Sequence, residues 1–513
     1  MRFSRSSGIL LHPTSLPGPH GSGDLGAAAY HFIDWLVLAG QHLWQMLPLG
    51  PCGIGNSPYM CLSAFAGNPL LIDLQELVNR GWLDQARLGE ANGFSPHRVD
   101  SSGVNPYRMT LLRFASDSFL SRQTPSEKLD FELFCDSHKN WLDDYSLFCS
   151  LNDKFDGQLW TRWDADVANR KPSSLEIAKV ELQDGIQFHK FTQWCFFRQW
   201  SSLKKYANEH GVKIIGDLPM FVAHHSSDVW GNPGEFYLDS NGNPTAVAGV
   251  PPDYFSKTGQ RWGNPLYRWD VIRSRKFKWW IDRFKSIFEM CDIVRIDHFR
   301  GFVACWEIPA KEETAVKGRW VEGPGEELFS ALVKKLVRLP IIAEDLGYIT
   351  ADVAKLREDL GFPGMKVLQF AFGGGVENPF LPHNYSSNSV VYTGTHDNDT
   401  TIGWYRSSTE RERDFVRRYM NVNGEEIHRD FVKLALRSVA DLAILPFQDV
   451  LGLGSEHRMN LPGTTQGNWE WRFTWDMVQP HLAIDLFETT ALSARCNPEK
   501  LGLPSSSTDL SNT

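Results

Sequence analysis

Short apolar runs that end in polar residues recur along the chain and alternate with longer amphipathic stretches. Continuous aliphatic and β-branched runs are typical of parallel strands that are buried on both faces. The stretches between them, such as 277–290 and 327–339, carry apolar residues at helical spacing. The candidate strands are eight in number and lie at residues 8–13, 42–51, 212–219, 291–298, 339–347, 365–372, 390–399 and 442–449.

Eight strand–helix units predict an α/β fold, a (β/α)8 TIM barrel. The alternative is an open doubly wound sheet. It is disfavoured because no glycine-rich dinucleotide-binding loop follows an early strand.

Two segments are too long to be plain connections between barrel strands. Residues 74–190 contain helical patterns, which predict a mostly helical inserted subdomain between the second and third strands. Residues 231–270 are rich in Gly, Pro, Asn and aromatic side chains, which predicts an inserted aromatic lid loop after the third strand. The barrel itself is then predicted to comprise 1–73 and 191–504, and the tail 505–513 to be disordered.

Composition narrows the classes of partner. The 513 residues carry a net charge of −9 without a Lys/Arg stripe, so we expect neither nucleic acid nor a membrane surface as partner. The chain also contains 19 Trp, 32 Phe and 13 Tyr, which would serve a bulky core or stack on sugar rings. The eight cysteines show no metal-ligand spacing, and no segment has 18 apolar residues in a row. We therefore expect a cytoplasmic protein.

Four acidic residues fall at the C-terminal ends of predicted strands. They are Asp217, Asp297, Glu344 and Asp397. A single strand-end Asp most often caps the next helix, but four in the same position would meet at the mouth of a barrel. Arg295 lies two residues before Asp297, so both side chains would share one face of the strand.

Clustered carboxylates without Cys or His ligands suit either a divalent-cation site or glycosidic bond cleavage. The aromatic excess and the lack of a phosphate-binding loop favour a sugar substrate. Arg295 would hold Asp297 ionised, as a nucleophile requires. The apolar residues 341–343 would raise the pKa of Glu344 toward the value of an acid catalyst.

Several long motifs resemble those of one enzyme family. They lie between residues 8–26 and 463–472 and are SPYMCLSAFAGNPLLIDL (57–74), GDLPMFV (216–222), GVPPDYFSKTGQRWGNPLY (249–267), VRIDHFRG (294–301), AEDLG (343–347) and THDNDT (395–400). In these motifs the chain resembles the 4-α-glucanotransferases called amylomaltase or disproportionating enzyme, glycoside hydrolase family 77 of the α-amylase superfamily.

The resemblance implies roles for individual residues. Asp297 would be the nucleophile, Glu344 the general acid and base, and Asp397 the third carboxylate, which bonds hydroxyls of the distorted sugar. Ten further residues are predicted to bind the substrate: Tyr59, Asp217, Tyr254, Phe255, Trp262, Arg295, His298, Phe370, His396 and Asn398. The resemblance implies a (β/α)8 barrel without metal or organic cofactor.

The predicted activity is transfer of an α-1,4-glucan segment to the 4-hydroxyl of an acceptor by retaining double displacement, in a monomer or weak homo-oligomer. A retaining α-glucan hydrolase is the alternative, since the same carboxylates would serve. A silent glucan-binding protein would not need the nucleophile–acid pair, and a carboxylate metalloenzyme would lose activity in a chelator. The chain departs from the family pattern at His225 and at Met60-Cys61. His224 and His225 are predicted to lie at the surface or at a helix entry.

Overall fold

Twelve strands lie within residues 2–89, 93–252, 256–497 and 499, which are the residues that the computed structural model describes. They are β1 (Ser6–Leu10), β2 (Leu43–Gln45), β3 (Lys213–Pro219), β4 (Ala246–Val250), β5 (Gln260–Pro265), β6 (Ile293–Asp297), β7 (Ala304–Pro309), β8 (Arg319–Glu322), β9 (Ile341–Ala343), β10 (Gly364–Val367), β11 (Ser389–Tyr392) and β12 (Leu442–Pro446).

Eight of these strands close into a parallel barrel in the order β1-β12-β11-β10-β9-β6-β3-β2. Each of the eight predicted strand segments overlaps one barrel strand, so the (β/α)8 prediction is confirmed. Nearly all residues of these strands are buried, which explains their continuous apolar character.

The helices cover the barrel and fill the interval between β2 and β3. They are α1 (Ala27–Leu38), α2 (Leu74–Asn79), α3 (Gln85–Leu88), α4 (Ser101–Arg122), α5 (Pro125–Lys154), α6 (Ala165–Ala168), α7 (Pro172–Glu181), α8 (Gln183–Glu209), α9 (Ser227–Gly231), α10 (Trp269–Ser274), α11 (Lys278–Met290), α12 (Gly325–Leu336), α13 (Ala351–Asp359), α14 (Thr401–Ser407), α15 (Glu410–Met420), α16 (Ile427–Arg437), α17 (Phe447–Leu451) and α18 (Leu482–Leu492). No described helix is long and apolar enough to cross a membrane.

Helices α2 to α8 form the segment between β2 and β3. Helix α5 begins with a capping box between Thr124 and Glu127 and has Pro125 at its first position, both of which favour a helix start. Helix α8 continues without a break across residue 190 to the barrel, so the predicted boundary there falls inside one helix. The domain limits themselves stay predictions.

The segment 231–270 contributes to a second sheet. Its strands β4 and β5 join β7 and β8 in a four-stranded sheet of order β5-β4-β7-β8, in which neighbouring strands are antiparallel. Val247 of β4 and Ile308 of β7 pack with Ala315 in a small apolar cluster. The segment is therefore partly regular, and its role as a lid stays a prediction.

Much of the aromatic excess lies in the core. Trp44, Trp200, Trp230 and Trp280 are fully buried. Core packing therefore accounts for part of the high aromatic content, which the sequence alone could also assign to sugar stacking.

Candidate active site

The four predicted carboxylates lie at the C-terminal end of the barrel. Asp217 belongs to β3, Asp297 ends β6, and Glu344 follows β9 directly. The strand register pairs Asp217 with Arg295, and the amide of Glu344 donates to the carbonyl of Ile296 at 3.0 Å. The first three carboxylates are therefore neighbours because three adjacent parallel strands end together.

Arg295 joins two of these carboxylates. Its Nη1 donates to Asp217 Oδ2 at 2.7 Å, and its Nη2 lies 3.1 Å from Asp297 Oδ1. Nε donates to the sulfur of Met365 at 3.4 Å. Burial lowers the pKa of the Arg295 guanidinium, whereas the two carboxylates raise it. The carboxylates have the larger combined effect, so the pKa lies well above its usual range. A permanent cation therefore lies against Asp297, whose side chain keeps 31% of its surface exposed.

Glu344 has the environment of a carboxyl group that can hold a proton. Its Oε2 accepts from the amide of His298 and its Oε1 from the amide of Leu346, both at 2.8 Å. Burial raises the pKa of Glu344 to about 7; Arg295 opposes this rise and Asp297 adds to it. A carboxyl group with this pKa can both donate and accept a proton near neutral pH.

His298 connects the end of β6 to Glu344. Its φ of 54° lies in the left-handed region, which is uncommon for a residue with a side chain. This turn aims its amide at Glu344. Burial lowers the pKa of His298 to about 4, so its imidazole is neutral. The ring meets Trp262 edge to face, with 4.8 Å between ring centroids.

Three rings form one wall of the site. Tyr59 donates its hydroxyl to Asp217 Oδ2 at 2.8 Å, and its ring stacks on His396 at 5.1 Å and 18°. Trp469 lies 5.9 Å from Tyr59 and 6.0 Å from His396. Trp469 therefore lies beside two predicted substrate-binding residues.

Asp397 lies in the loop after β11 and is about half exposed, at 48% of its side-chain surface. His396 Nε2 lies 3.3 Å from its Oδ1, and Asn460 Nδ2 donates to the same oxygen at 2.6 Å. Arg458 donates to its carbonyl oxygen at 2.5 Å. Sequence reasoning missed Asn460 and Arg458. The available signal was their position as polar residues in a Gly/Pro-containing loop after the last barrel strand.

Two predicted substrate-binding residues have structural partners. Asn398 Oδ1 accepts from the amide and the hydroxyl of Thr395 at 2.9 and 2.8 Å, which shapes the loop that carries Asp397. Phe370 is partly buried and meets Phe380 edge to face at 5.5 Å. Contact of these side chains with substrate stays a prediction. Tyr254 and Phe255 lie outside the described residues.

His225 lies at a helix entry, one of the two positions predicted for it, because it directly precedes Ser226, the N-cap of α9. It is buried there rather than on the surface. Its Nδ1 accepts from the amide of Trp160 at 3.2 Å, and its Nε2 bonds to Asn152 Oδ1 at 2.8 Å. The residue therefore joins the loop after β3 to the inserted helices, a long-range contact that the sequence does not indicate.

Comparison with known proteins agrees with the geometry. Residues 11–478 match the family described as 4-alpha-glucanotransferase. The 4-alpha-glucanotransferase of Thermus thermophilus is 52% identical over 488 residues, covering 94% of this chain and 97% of the relative. The chloroplastic/amyloplastic enzyme of Solanum tuberosum is 45% identical over 474 residues, covering 91% and 82%.

A solved structure, the amylomaltase of Streptococcus agalactiae in complex with acarbose, has a TM-score of 0.93 at 38% identity. It covers 96% of this chain and 100% of its own. The predicted resemblance is confirmed: the chain belongs to the 4-alpha-glucanotransferase family, glycoside hydrolase family 77.

Proposed function

We propose that the enzyme transfers a segment of an α-1,4-glucan to the 4-hydroxyl of a second glucan or of glucose, through a covalent intermediate on Asp297. The observation that carries this proposal is the difference in environment between two neighbouring carboxyl groups. Asp297 lies against the cation of Arg295, and burial raises the pKa of Glu344 to about 7. Divergent environments of this kind assign a nucleophile and an acid.

In the first step Asp297 attacks C1 of the bound glucan. The bond from C1 to the glycosidic oxygen breaks, and that oxygen takes the proton of Glu344. Such a nucleophile and acid are expected about 5–5.5 Å apart. The guanidinium of Arg295, 3.1 Å from Asp297 Oδ1, holds that carboxyl group in place for the attack.

In the second step the ionised Glu344 takes the proton of an acceptor 4-hydroxyl. The acceptor oxygen then bonds to C1, and Asp297 leaves as a carboxylate. Two inversions at C1 retain the α configuration. Asp397, held by Asn460, would accept hydrogen bonds from hydroxyls of the distorted ring.

Transfer requires that water compete poorly with the acceptor hydroxyl. Trp262 lies next to His298, and we place it where the acceptor glucan would bind. Tyr254 and Phe255, from the same segment of the sequence, are predicted to bind there as well. Rings that shield the intermediate until an acceptor stacks would favour transfer. Replacement of Trp262 by Ala should then raise the ratio of hydrolysis to transfer, and an unchanged ratio would remove this role.

The substrates that we propose are α-1,4-glucans and malto-oligosaccharides, used by a monomer or weak homo-oligomer in the cytoplasm. The test is incubation with maltotriose while glucose, chain length and total reducing ends are followed together. Longer oligosaccharides plus glucose at constant reducing ends support transfer. A steady rise in reducing ends would instead favour the α-glucan hydrolase and contradict the shielding role.

A further inference from the structure

A short hairpin after β2 brings two cysteines face to face. Cys52 and Cys61 pair across an isolated antiparallel bridge. The amide that follows each cysteine donates to the carbonyl that precedes the other, at 2.9 Å on both sides. This is the pattern of a non-hydrogen-bonded pair, in which the Cα atoms lie about 4.5 Å apart and the side chains point to the same face. That separation is within the range of about 4.4–6.8 Å that a disulfide spans.

Both sulfur atoms lie beside the same glycine. Cys52 Sγ is 3.9 Å from the carbonyl oxygen of Gly50, and a Cβ placed on Gly50 would lie 2.7 Å from Cys61 Sγ. Both cysteines are free and partly exposed, whereas Cys149 and Cys195 are buried. The two thiols therefore share one side of the hairpin and belong to residues that keep part of their surface exposed.

We propose that Cys52 and Cys61 are a redox-modification site that closes into a reversible disulfide. The oxidant is a low-molecular-weight disulfide such as oxidised glutathione. One thiolate attacks it to give a mixed disulfide and one reduced glutathione. The second thiolate then displaces the other glutathione, so that one Sγ–Sγ bond forms, the oxidant's sulfur–sulfur bond breaks and the two cysteine protons are released to the glutathione thiols.

The environment of the thiols sets the speed of this exchange. Burial raises the pKa of Cys52 to about 12, and burial together with the neighbouring thiol raises the pKa of Cys61 well above its usual range. Because the thiolate is the reacting form, exchange should be slow at neutral pH and faster as the pH rises.

The hairpin also carries Tyr59, which links the modification to the active site. Cys61 Sγ donates a hydrogen bond to the carbonyl oxygen of Pro58 at 2.9 Å. Oxidation removes that proton, so the turn that places Tyr59 against Asp217 loses one anchor. We expect kcat/KM to fall about fivefold, the effect of one net hydrogen bond. This effect on activity rests on the proposed role of Tyr59, whereas formation of the disulfide does not.

The experiment treats the full-length protein with oxidised glutathione at pH 8, blocks the remaining thiols, and maps the digested peptides by mass spectrometry. kcat/KM for maltotriose is measured before treatment, after it, and after addition of dithiothreitol. We expect a peptide that links Cys52 to Cys61, together with a loss of activity that dithiothreitol reverses. Cys52→Ser should be insensitive, while Cys135→Ser, which removes a partly exposed thiol elsewhere, should respond as the wild type does.

Two results would overturn the inference. Free thiols or separate glutathione adducts at both cysteines would exclude the disulfide. A linked pair with unchanged kcat/KM would exclude control through the hairpin. Tyr59→Phe separates the causes: if it too leaves kcat/KM unchanged, the failure belongs to the proposed role of Tyr59 and not to the cysteine pair.

Discussion

The backbone amide of His298 donates a 2.8 Å hydrogen bond to Oε2 of Glu344. The residue that follows Asp297 thereby fixes the carboxyl group that we assign as acid and base. One turn thus controls the relative placement of both proposed catalytic groups, and it depends on the left-handed backbone of His298.

Comparison of His298→Gly with His298→Ala isolates this backbone effect, because both variants lack the ring. Glycine adopts a positive φ freely, whereas alanine is strained there by about 1 kcal/mol. The Gly variant should therefore be more stable and keep a several-fold higher kcat/KM for maltotriose. Urea unfolding and initial rates measure the two effects. Equal values for the two variants would show that the turn does not constrain Glu344.

The pH dependence of catalysis should report Glu344. Its pKa is raised to about 7, so the free enzyme holds the required proton below this pH and loses it above. kcat/KM for maltotriose should then fall as pH rises through about 7, by about tenfold per unit at higher pH. α-Maltotriosyl fluoride is the control, since departing fluoride needs no proton and its kcat/KM should lack this basic limb. A maltotriose profile that stays level to pH 9 would contradict the assignment.

Asn460 should matter for catalysis although it is distant in sequence from all four predicted carboxylates. Its Nδ2 donates to Asp397 Oδ1 at 2.6 Å. Loss of a hydrogen bond to a charged group should lower kcat/KM about tenfold in Asn460→Ala. Asn423→Ala is the matched control, because Asn423 makes a similar bond to the exposed Glu425. Equal rates for both variants would mean that Asp397 does not need this partner.

Arg495 should stabilise the barrel without taking part in catalysis. It is buried and donates to five carbonyl oxygens: those of Ser6, Leu436, Ser438, Ala440 and Asp441. Arg495→Met would remove these five buried hydrogen bonds and lower the free energy of unfolding by at least about 3 kcal/mol.

Urea denaturation measures this loss, and Arg418→Met is the comparison. The exposed Arg418 makes one long ion pair with Asp414, at 3.6 Å, so its loss should change stability by less than about 1 kcal/mol. Similar midpoints for the two variants would refute the structural role of Arg495.

The sequence was sufficient for the barrel and for much of the site. Parallel strands buried on both faces read as continuous apolar runs, so all eight could be located. Asp217, Asp297 and Glu344 could then be placed at one rim, because strand ends in a barrel share an edge. This prediction needed only the residues at the C-terminal end of each strand and not the exact length of the strand.

Long-range contacts made by loops were beyond the sequence. Asn460 meets Asp397 across 63 positions, and nothing local in either segment indicates the pairing. The sequence predicts His225 at the surface or a helix entry, and it does precede α9, but its bond to Asn152 of α5 has no local signal. Strand β4 is short and contains Gly249, which has a low strand propensity. The second sheet could therefore not be predicted from this segment alone, without its partner strands.

Covalent trapping tests the central assignment most directly. In Glu344→Gln, α-maltotriosyl fluoride can still glycosylate the nucleophile, because fluoride leaves without a proton, but no base remains to complete the transfer. The intermediate should accumulate, and peptide mapping should place the maltotriosyl group on Asp297. Asp297→Asn with Glu344→Gln should remain unlabelled. A label on any other residue, or labelling that survives the loss of Asp297, would contradict the double-displacement mechanism proposed for this site.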